Sequence, residues 1–201
     1  FRLISNYRRQ KVSKSSWKAS VKTIVVGNIR VGGNGKTPFV IWLANILKKN
    51  GYKPGIISRG YKSVSKKFPL SVDSDTQVYD SGDEAKIISN STQCPLVAGP
   101  KRVDSSKYLL DNYDCDVLIT DDGLQHYALG RDIEIPMVDG IKKFGNKLML
   151  PAGPLREPIK RLNEVDFIVN TNSFCNNESE RKQNEFLMTY KPISWINICT
   201  K

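Results

Sequence analysis

The glycine-rich segment at residues 27–37 limits the possible folds of this chain more than any other feature. It reads "GNIRVGGNGKT", follows the apolar run "VKTIVV" and precedes "PFVIWLANILKK", whose apolar side chains recur at spacings of three and four. The first run is typical of a buried strand and the second of an amphipathic helix. A glycine-rich turn between a strand and a helix N-terminus aims several backbone N–H groups at one point, as phosphate-binding loops do.

The residues of this turn supply the groups that nucleotide phosphates and their metal require. Glycines leave the backbone free to approach phosphate oxygens closely. A lysine at the helix start can reach the β- and γ-phosphates, and the next hydroxyl can ligate Mg²⁺. We therefore predict nucleotide binding by Arg30, Val31, Gly32, Gly33, Asn34, Gly35, Lys36 and Thr37. The alternative is a glycine-rich turn without a ligand.

Apolar runs and helical segments alternate along the rest of the chain. We predict strands at 54–59 and within "CPLVAG", "CDVLITDDG", "DIEIPMVDG" and "EVDFIVNT", and helices from "GDEAKIIS" and "KRVDSSKYLLDNY". Residues 62–81 are predicted as a loop or short hairpin, "SFCNNESERKQNEF" as a solvated excursion, and "KPISWINICT" as the start of a further strand. This alternation predicts an α/β fold, a mostly parallel sheet flanked by helices as in P-loop NTPases, with ligands beyond the carboxyl ends of the strands.

Two acidic segments are candidates for the chemistry. Asp121 and Asp122 end a predicted strand in "DVLITDDGLQH", as a Walker B acid does, where it supports the Mg²⁺ shell or orients a water. Neighbouring strand residues point to opposite faces, so one aspartate can face the site while the other anchors the turn. Asp83 and Glu84 open a helix in "SGDEAK", and the residues alone favour an acidic first turn that complements the helix dipole.

Two basic segments are candidate phosphate clamps. "LMLPAGPLREP" is a rigid, proline-rich loop in which Arg156 suits bidentate binding of phosphate. Its alternative is a structural turn in which Glu157 pairs with an arginine. Arg59 in "SRGYK" raises the same alternatives at a strand end. His126 is the single histidine, and its simplest interpretation is hydrogen bonding within its own loop.

Net charge and cysteine content limit the kinds of partner that we expect for the chain and the redox state of its thiols. The chain has 201 residues and a net charge of +11, which favours anionic partners such as nucleic acid, phospholipid surfaces or phosphorylated substrates. No RNP-like, zinc or helix-turn-helix signature supports nucleic acid, and no apolar run approaches the roughly 18 residues that cross a bilayer. Residues 1–20 are a basic leader, either solvated or lying on a membrane surface. The four cysteines are Cys94, Cys115, Cys175 and Cys199, and no two of them have the CxxC spacing of a zinc site. A disulfide framework is not expected at this chain length and cysteine content, so we expect reduced thiols.

In their order, these segments resemble the tetraacyldisaccharide 4′-kinase family of lipid A biosynthesis. The similarity covers about residues 20–170 and depends on "VVGNIRVGGNGKTP", "SRGYK", "GDEA", "DDGLQH", "RDIEI", "GNKLMLPAGPLREP" and "RL". "DDGLQH" and "LPAGPLREP" are the most specific of these. The family's loop normally lacks the first glycine and has a small hydroxyl residue there, so Arg30 departs from the pattern. It either adds positive charge near the phosphates or points to solvent. "GDEA" departs from the more usual "GDEP".

The resemblance implies an activity and a location. The family transfers the γ-phosphate of ATP, with Mg²⁺, to the 4′-hydroxyl of an anionic acylated glucosamine disaccharide 1-phosphate, giving lipid IVA. It acts at the cytoplasmic face of the Gram-negative inner membrane. A different class of function, a P-loop ATPase or GTPase switch or a metal-delivery NTPase, would pass phosphate to water instead.

The resemblance also implies roles for single residues. Asp83 would be the general base on the sugar hydroxyl, and Thr37, Glu84 and Asp121 would hold Mg²⁺. The remaining implied catalytic positions are Lys36 on phosphate, Asp122 as organiser of the site and Arg156 against phosphate charge.

The family pattern also sets an expectation for domains. We expect residues 1–20 to be a membrane-proximal leader and residues 21–201 a P-loop kinase domain, with the family's C-terminal domain largely absent. A chain without the part that closes over the nucleotide positions substrate poorly, so we expect little kinase activity from these 201 residues alone. Neither the acyl-chain preference nor the oligomeric state is indicated.

Overall fold

The computed structural model describes residue 12, residues 15–172 and residues 183–191. Its strands are β1 (Lys22–Gly27), β2 (Pro54–Ser58), β3 (Leu70–Ser71), β4 (Leu96–Ala98), β5 (Val117–Thr120), β6 (Ile133–Asp139), β7 (Ile168–Thr171) and β8 (Glu185–Met188). Its helices are α1 (Lys36–Lys49), α2 (Val78–Ser81), α3 (Asp83–Thr92), α4 (Arg102–Asn112) and a 3₁₀-helix (Ile159–Glu164). The predicted α/β class is confirmed.

The eight strands form one sheet in the order β3-β4-β2-β5-β1-β6-β7-β8. Every neighbouring pair is parallel except β3 with β4. Strand β1 lies between β5 and β6, with Val25 opposite Thr120 on one side and Glu134 on the other. Because the carboxyl ends of parallel strands meet at one edge, the loops after β1, β2 and β5 are neighbours there.

Apolar packing on both faces explains why the central strands are continuous apolar runs. Helices α1 and α3 cover one face, where Val40 and Ile88 pack with Val26 and Ile119 of the sheet. Helix α4 covers the opposite face. A separate cluster on β1 and β6 joins the segment before β7 to the sheet, and its members include Val25, Leu124, Val138, Leu162 and Val165.

The edges of the sheet differ from the sequence predictions. Residues 62–81 contain the two-residue strand β3 and the short helix α2. The end of the predicted solvated excursion is wrong, since Glu185 and Phe186 belong to β8. An edge strand of four half-exposed residues lacks the apolar run that identifies a central strand. The strand predicted within 191–200 lies almost entirely outside the described residues.

Part of the basic leader contacts the body of the protein. The Trp17 N–H donates to the Ala128 carbonyl at 2.9 Å, and the Gly130 N–H donates to the Trp17 carbonyl at 2.7 Å. Lys107 of α4 lies 5.6 Å from the centre of the Trp17 ring. The leader is thereby joined to the loop after β5. No helix in the described ranges combines the length and apolar character that crossing a membrane demands.

Two of the four cysteines can be compared with the expectation of reduced thiols. Cys94 and Cys115 are buried and form no disulfide. Burial raises the pKa of both thiols, to about 11 for Cys115, which keeps them protonated at neutral pH. Cys175 and Cys199 lie outside the described residues.

Candidate functional site

The glycine loop, residues 28–35, connects β1 to α1 at the carboxyl edge of the sheet. The Asn28 side-chain amide donates to the Gly32 carbonyl at 3.0 Å, closing the loop on itself. Gly32 and Gly35 have φ of 116° and 74°, in the region that favours glycine. A Cβ placed on Gly32 or Gly33 would meet nothing within 4 Å, so this backbone borders open space. The loop therefore has the room that a phosphate group needs.

Backbone hydrogen bonds join the glycine loop to the proline-rich loop, residues 148–158. The Val31 N–H donates to the Pro154 carbonyl at 2.8 Å, and the Arg156 N–H donates to the Ile29 carbonyl at 2.7 Å. The Nε atom of Arg30 is buried and has no hydrogen-bond partner. At least this part of the Arg30 side chain is therefore shielded from solvent, and a role for its charge near the phosphates stays a prediction.

Lys36, Asp122 and Arg156 come together although they are distant in sequence. The Lys36 ammonium lies 3.5 Å from the Asp122 carboxylate, and one Arg156 nitrogen lies 3.1 Å from each carboxylate oxygen. The same Arg156 nitrogen reaches the Gln125 side-chain oxygen at 3.4 Å. Burial alone would raise the pKa of Asp122, but Lys36 and Arg156 outweigh it and lower that pKa. Two cations thus flank one ionised carboxylate beside the glycine loop.

Asp121 has different surroundings from its neighbour. It is 2% exposed, and its Oδ1 atom has no hydrogen-bond partner. Burial, with the nearby charge of Glu84, raises its pKa to about 7, against the opposing charge of Lys36. A nearly buried carboxylate oxygen without a partner is costly unless a cation or proton compensates it. The structure thus gives the two aspartates different environments, a distinction that the sequence did not make.

Asp83 and Glu84 are exposed at the first turn of α3. The preceding Gly82 has φ of 83°, and a Cβ there would lie 2.1 Å from the carbonyl oxygen of Tyr61. This close contact holds the start of α3 against the loop that follows β2. Both acids therefore lie at the carboxyl edge of the sheet, and the charge of Glu84 reaches Asp121. This position suits a helix-dipole role as well as a catalytic one.

Sequence reasoning missed Arg102, the first residue of α4. Its guanidinium is buried and donates to the carbonyls of Ser58 and Asp121, each at 3.1 Å, and to that of Gly99. It thereby joins the carboxyl ends of three strands. Burial lowers its pKa to about 10, opposed by the two aspartates, so it stays charged at neutral pH. A signal existed in "AGPKRV", an arginine at a helix start directly after a buried strand.

Two further predicted positions lie around Arg102. Arg59 is exposed at the end of β2, and its charge contributes to lowering the pKa of both Arg102 and His126. Burial first, and then the charge of Arg102, lowers the pKa of His126 to about 4. The backbone N–H of His126 donates to the Gly123 carbonyl at 2.9 Å, a bond that does not involve the imidazole, so hydrogen bonding of the side chain within its loop stays a prediction. Its imidazole is neutral at pH 7.

The oxygen groups at this edge fit a magnesium ion. The described residues contain no group of three or more His, Cys, Asp or Glu side chains arranged for a metal. Mg²⁺ commonly takes only one or two protein carboxylates and completes its shell with phosphate and water. The unpartnered Oδ1 of Asp121, with the charge of Glu84 near enough to raise the pKa of Asp121, suits that smaller donor set.

The fold and the site define the class of protein. A central parallel strand leads into a glycine loop and a helix, and the neighbouring strand β5 ends in acids that face the helix start. This is the arrangement of a P-loop NTPase-like, nucleotide-binding α/β fold.

The chain belongs to the tetraacyldisaccharide-1-phosphate 4′-kinase family, whose model, LpxK, matches residues 1–200. The tetraacyldisaccharide 4′-kinase of Vibrio cholerae is 46% identical over 203 residues, covering 100% of this chain and 58% of the relative. That of Nitrosococcus oceani is 56% identical over 146 residues, covering 73% of this chain and 43% of the relative. The crystal structure of "apo" form LpxK from Aquifex aeolicus in complex with ATP has a TM-score of 0.78 at 32% identity, covering 94% of this chain and 60% of that one. The chain thus spans about half of the length of the curated relatives it matches.

Proposed function

We propose that the protein carrying this chain transfers the γ-phosphate of ATP to the 4′-hydroxyl of a tetraacylated glucosamine disaccharide 1-phosphate. The observation that supports this most is the meeting of Lys36, Asp122 and Arg156 beside the glycine loop. Phosphoryl transfer needs positioned cations around the phosphate rather than a covalent group from the protein. The relatives' names supply the acceptor, and the Aquifex aeolicus structure, which contains ATP, supports the donor.

The nucleotide would be held by the glycine loop. Backbone N–H groups of residues 32–37 would bind the phosphates, Lys36 would reach the β- and γ-phosphates, and Arg156 would meet charge on the transferred group. Asp122 would keep both cations in place before the nucleotide arrives, so that little reorganisation is needed during the reaction. When bound by Thr37, Glu84 and Asp121, Mg²⁺ would neutralise charge that develops on the phosphate oxygens.

Asp83 is proposed as the general base. As the acceptor oxygen bonds to the γ-phosphorus and the bond to the leaving ADP oxygen breaks, the hydroxyl proton passes to the Asp83 carboxylate. Exposure at the start of α3 leaves this carboxylate accessible to a sugar hydroxyl.

The acceptor and its location are also proposals. A net charge of +11 favours an anionic glycolipid and the anionic cytoplasmic surface of an inner membrane. The basic leader, residues 1–20, would lie towards that surface, with the loop after β5 held to it through Trp17.

Incubation of full-length protein with γ-labelled ATP, Mg²⁺ and the acylated disaccharide 1-phosphate tests this function. We expect label in the lipid, and we expect Asp83→Asn and Lys36→Ala to remove most of it. Asp111→Asn, a change of an exposed acid near the end of α4, is the matched control and should retain full activity. Label that appears only as free phosphate would contradict the kinase and support a hydrolytic NTPase.

A further inference from the structure

Two motifs that carry the family resemblance, "RDIEI" at 131–135 and "RL" at 161–162, have no role in the proposed chemistry. Arg131 and Glu134 of the first motif meet Arg161 of the second largely below the surface. We infer that Arg131, Glu134 and Arg161, with Glu157, form a largely buried clamp. The clamp positions the loop after β5, which carries Asp122, and the proline-rich loop, which carries Arg156. These are positioning residues, and their relevance to turnover rests on the proposed function.

Glu134 is the centre of the clamp. It lies on β6, is 7% exposed and stands beside Val25 of β1 in the sheet. Both of its carboxylate oxygens accept hydrogen bonds from Arg161, and one also accepts from Arg131 at 2.9 Å. Since β6 is paired with β1 on one side and β7 on the other, both arginines are bound to an internal strand of the sheet.

Arg131 holds the loop after β5, residues 121–130. Its guanidinium donates to the carbonyls of Leu124 at 2.9 Å, His126 at 2.8 Å and Leu129 at 3.3 Å. It also lies 5.0 Å from the centre of the Tyr127 ring. Three carbonyls of one loop therefore converge on a single planar side chain. This loop carries Asp122.

Arg161 holds the proline-rich loop through Glu157. The Arg161 guanidinium lies 3.5 Å from the carboxylate of Glu157, which is 1% exposed. That carboxylate accepts from the Tyr127 hydroxyl at 2.6 Å and from the Gln125 side chain at 2.8 Å. Glu157 thus connects the two loops directly, and it is the neighbour of Arg156.

The charges of the clamp balance, with two arginines against two glutamates, and the half-exposed Glu164 lies 3.8 Å from Arg161. Buried ion pairs contribute little net stability compared with apolar packing, but their directional bonds can select one geometry. Here that geometry is the placement of Asp122 and Arg156, which come from the two loops that the clamp joins. A displacement of about 1 Å at such groups can lower turnover by roughly 100-fold.

The test uses Arg131→Lys in full-length protein, because lysine keeps the charge but loses the planar fork. We expect kcat to fall by about 10- to 100-fold, while the KM for ATP, which depends on the glycine loop, changes less than about threefold. Amide hydrogen exchange in residues 123–130 should accelerate about tenfold, with β1 unchanged. Added guanidinium should restore part of the kcat of Arg131→Ala, since the Arg131 side chain is 15% exposed.

Controls separate the clamp from general destabilisation. Lys53→Met breaks the exposed ion pair with Asp114 and should change neither kcat nor exchange. If Arg131→Lys does not fold, Tyr127→Phe, which removes only the hydroxyl bonded to Glu157, should show the same pattern at smaller size. Unchanged kcat in a folded variant, or exchange accelerated equally in β1, would overturn the clamp. Failure of the wild type to phosphorylate the lipid would contradict the proposed function, while the exchange data would still test the clamp.

Discussion

Asp121 and Asp122 show how much the position of one residue decides at this site. Both follow β5, yet burial raises the pKa of Asp121 to about 7, and two cations lower that of Asp122. The sequence predicts an acidic pair at a strand end but cannot separate the two. Their difference depends on Lys36 and Arg156, which come from loops far apart in the chain.

Asp122→Asn tests the role of the ionised carboxylate. Without that charge, Lys36 and Arg156 lose the partner that orients them but still attract phosphate. We expect ADP affinity, measured by fluorescence titration, to stay equal or rise, while turnover of the lipid falls by roughly 100-fold. Turnover within about twofold of the wild type would contradict this role.

His126 provides a direct test of the electrostatics, because it is the single histidine of these 201 residues. With its pKa lowered from 6.5 to about 4, the imidazole should stay neutral from pH 8 to pH 5. Between pH 6.5 and pH 4 the histidine of the unfolded chain binds a proton more readily than that of the folded protein. The free energy of unfolding should therefore decrease as the pH drops from 6.5 towards 4. The imidazole C–H resonance in NMR reports the titration, and a midpoint near 6.5 would disprove the lowered pKa.

At the scale of secondary structure, the centre of the sheet could be predicted and its edges could not. Strands β1 and β5 are buried on both faces along almost all of their length, so apolar residues predominate in their sequences. The edge strands β3 and β8 are short and half-exposed, and their sequences resemble loops. The pairing of Glu134 with Arg161 was equally inaccessible, since these residues are 27 positions apart and meet only when the 3₁₀-helix packs beside β6.

Gly130→Ala tests the docking of the leader against the loop after β5. A Cβ at Gly130 would lie 3.0 Å from the Trp17 carbonyl oxygen and 2.8 Å from the Lys18 side chain. We expect the change to displace Trp17, shift the tryptophan fluorescence and lower the free energy of unfolding by about 1–3 kcal/mol. In urea titrations Gly33→Ala is the control, because its Cβ meets nothing within 4 Å. Equal stability of the two variants would argue against this contact.

For the whole molecule, the order of motifs along the chain predicted the family, and the family model confirms it. Alternating strands and helices predicted the parallel sheet, because helical crossovers leave successive strands running in one direction, with their carboxyl ends at the same edge. The glycine loop, Lys36 and Asp122 lie at that edge, as predicted. The domain organisation and the roles of single residues remain predictions, since they depend on ligand contacts and on the full length of the protein.

A structure of the full-length protein with Mg²⁺ and a non-hydrolysable ATP analogue tests the central claim most directly. The account predicts γ-phosphate oxygens about 3 Å from Lys36 Nζ and from the backbone N–H groups of the glycine loop, with Arg156 and Asp83 facing the same phosphate. A nucleotide bound elsewhere, or a γ-phosphate beyond the reach of Lys36 and Asp83, would contradict it.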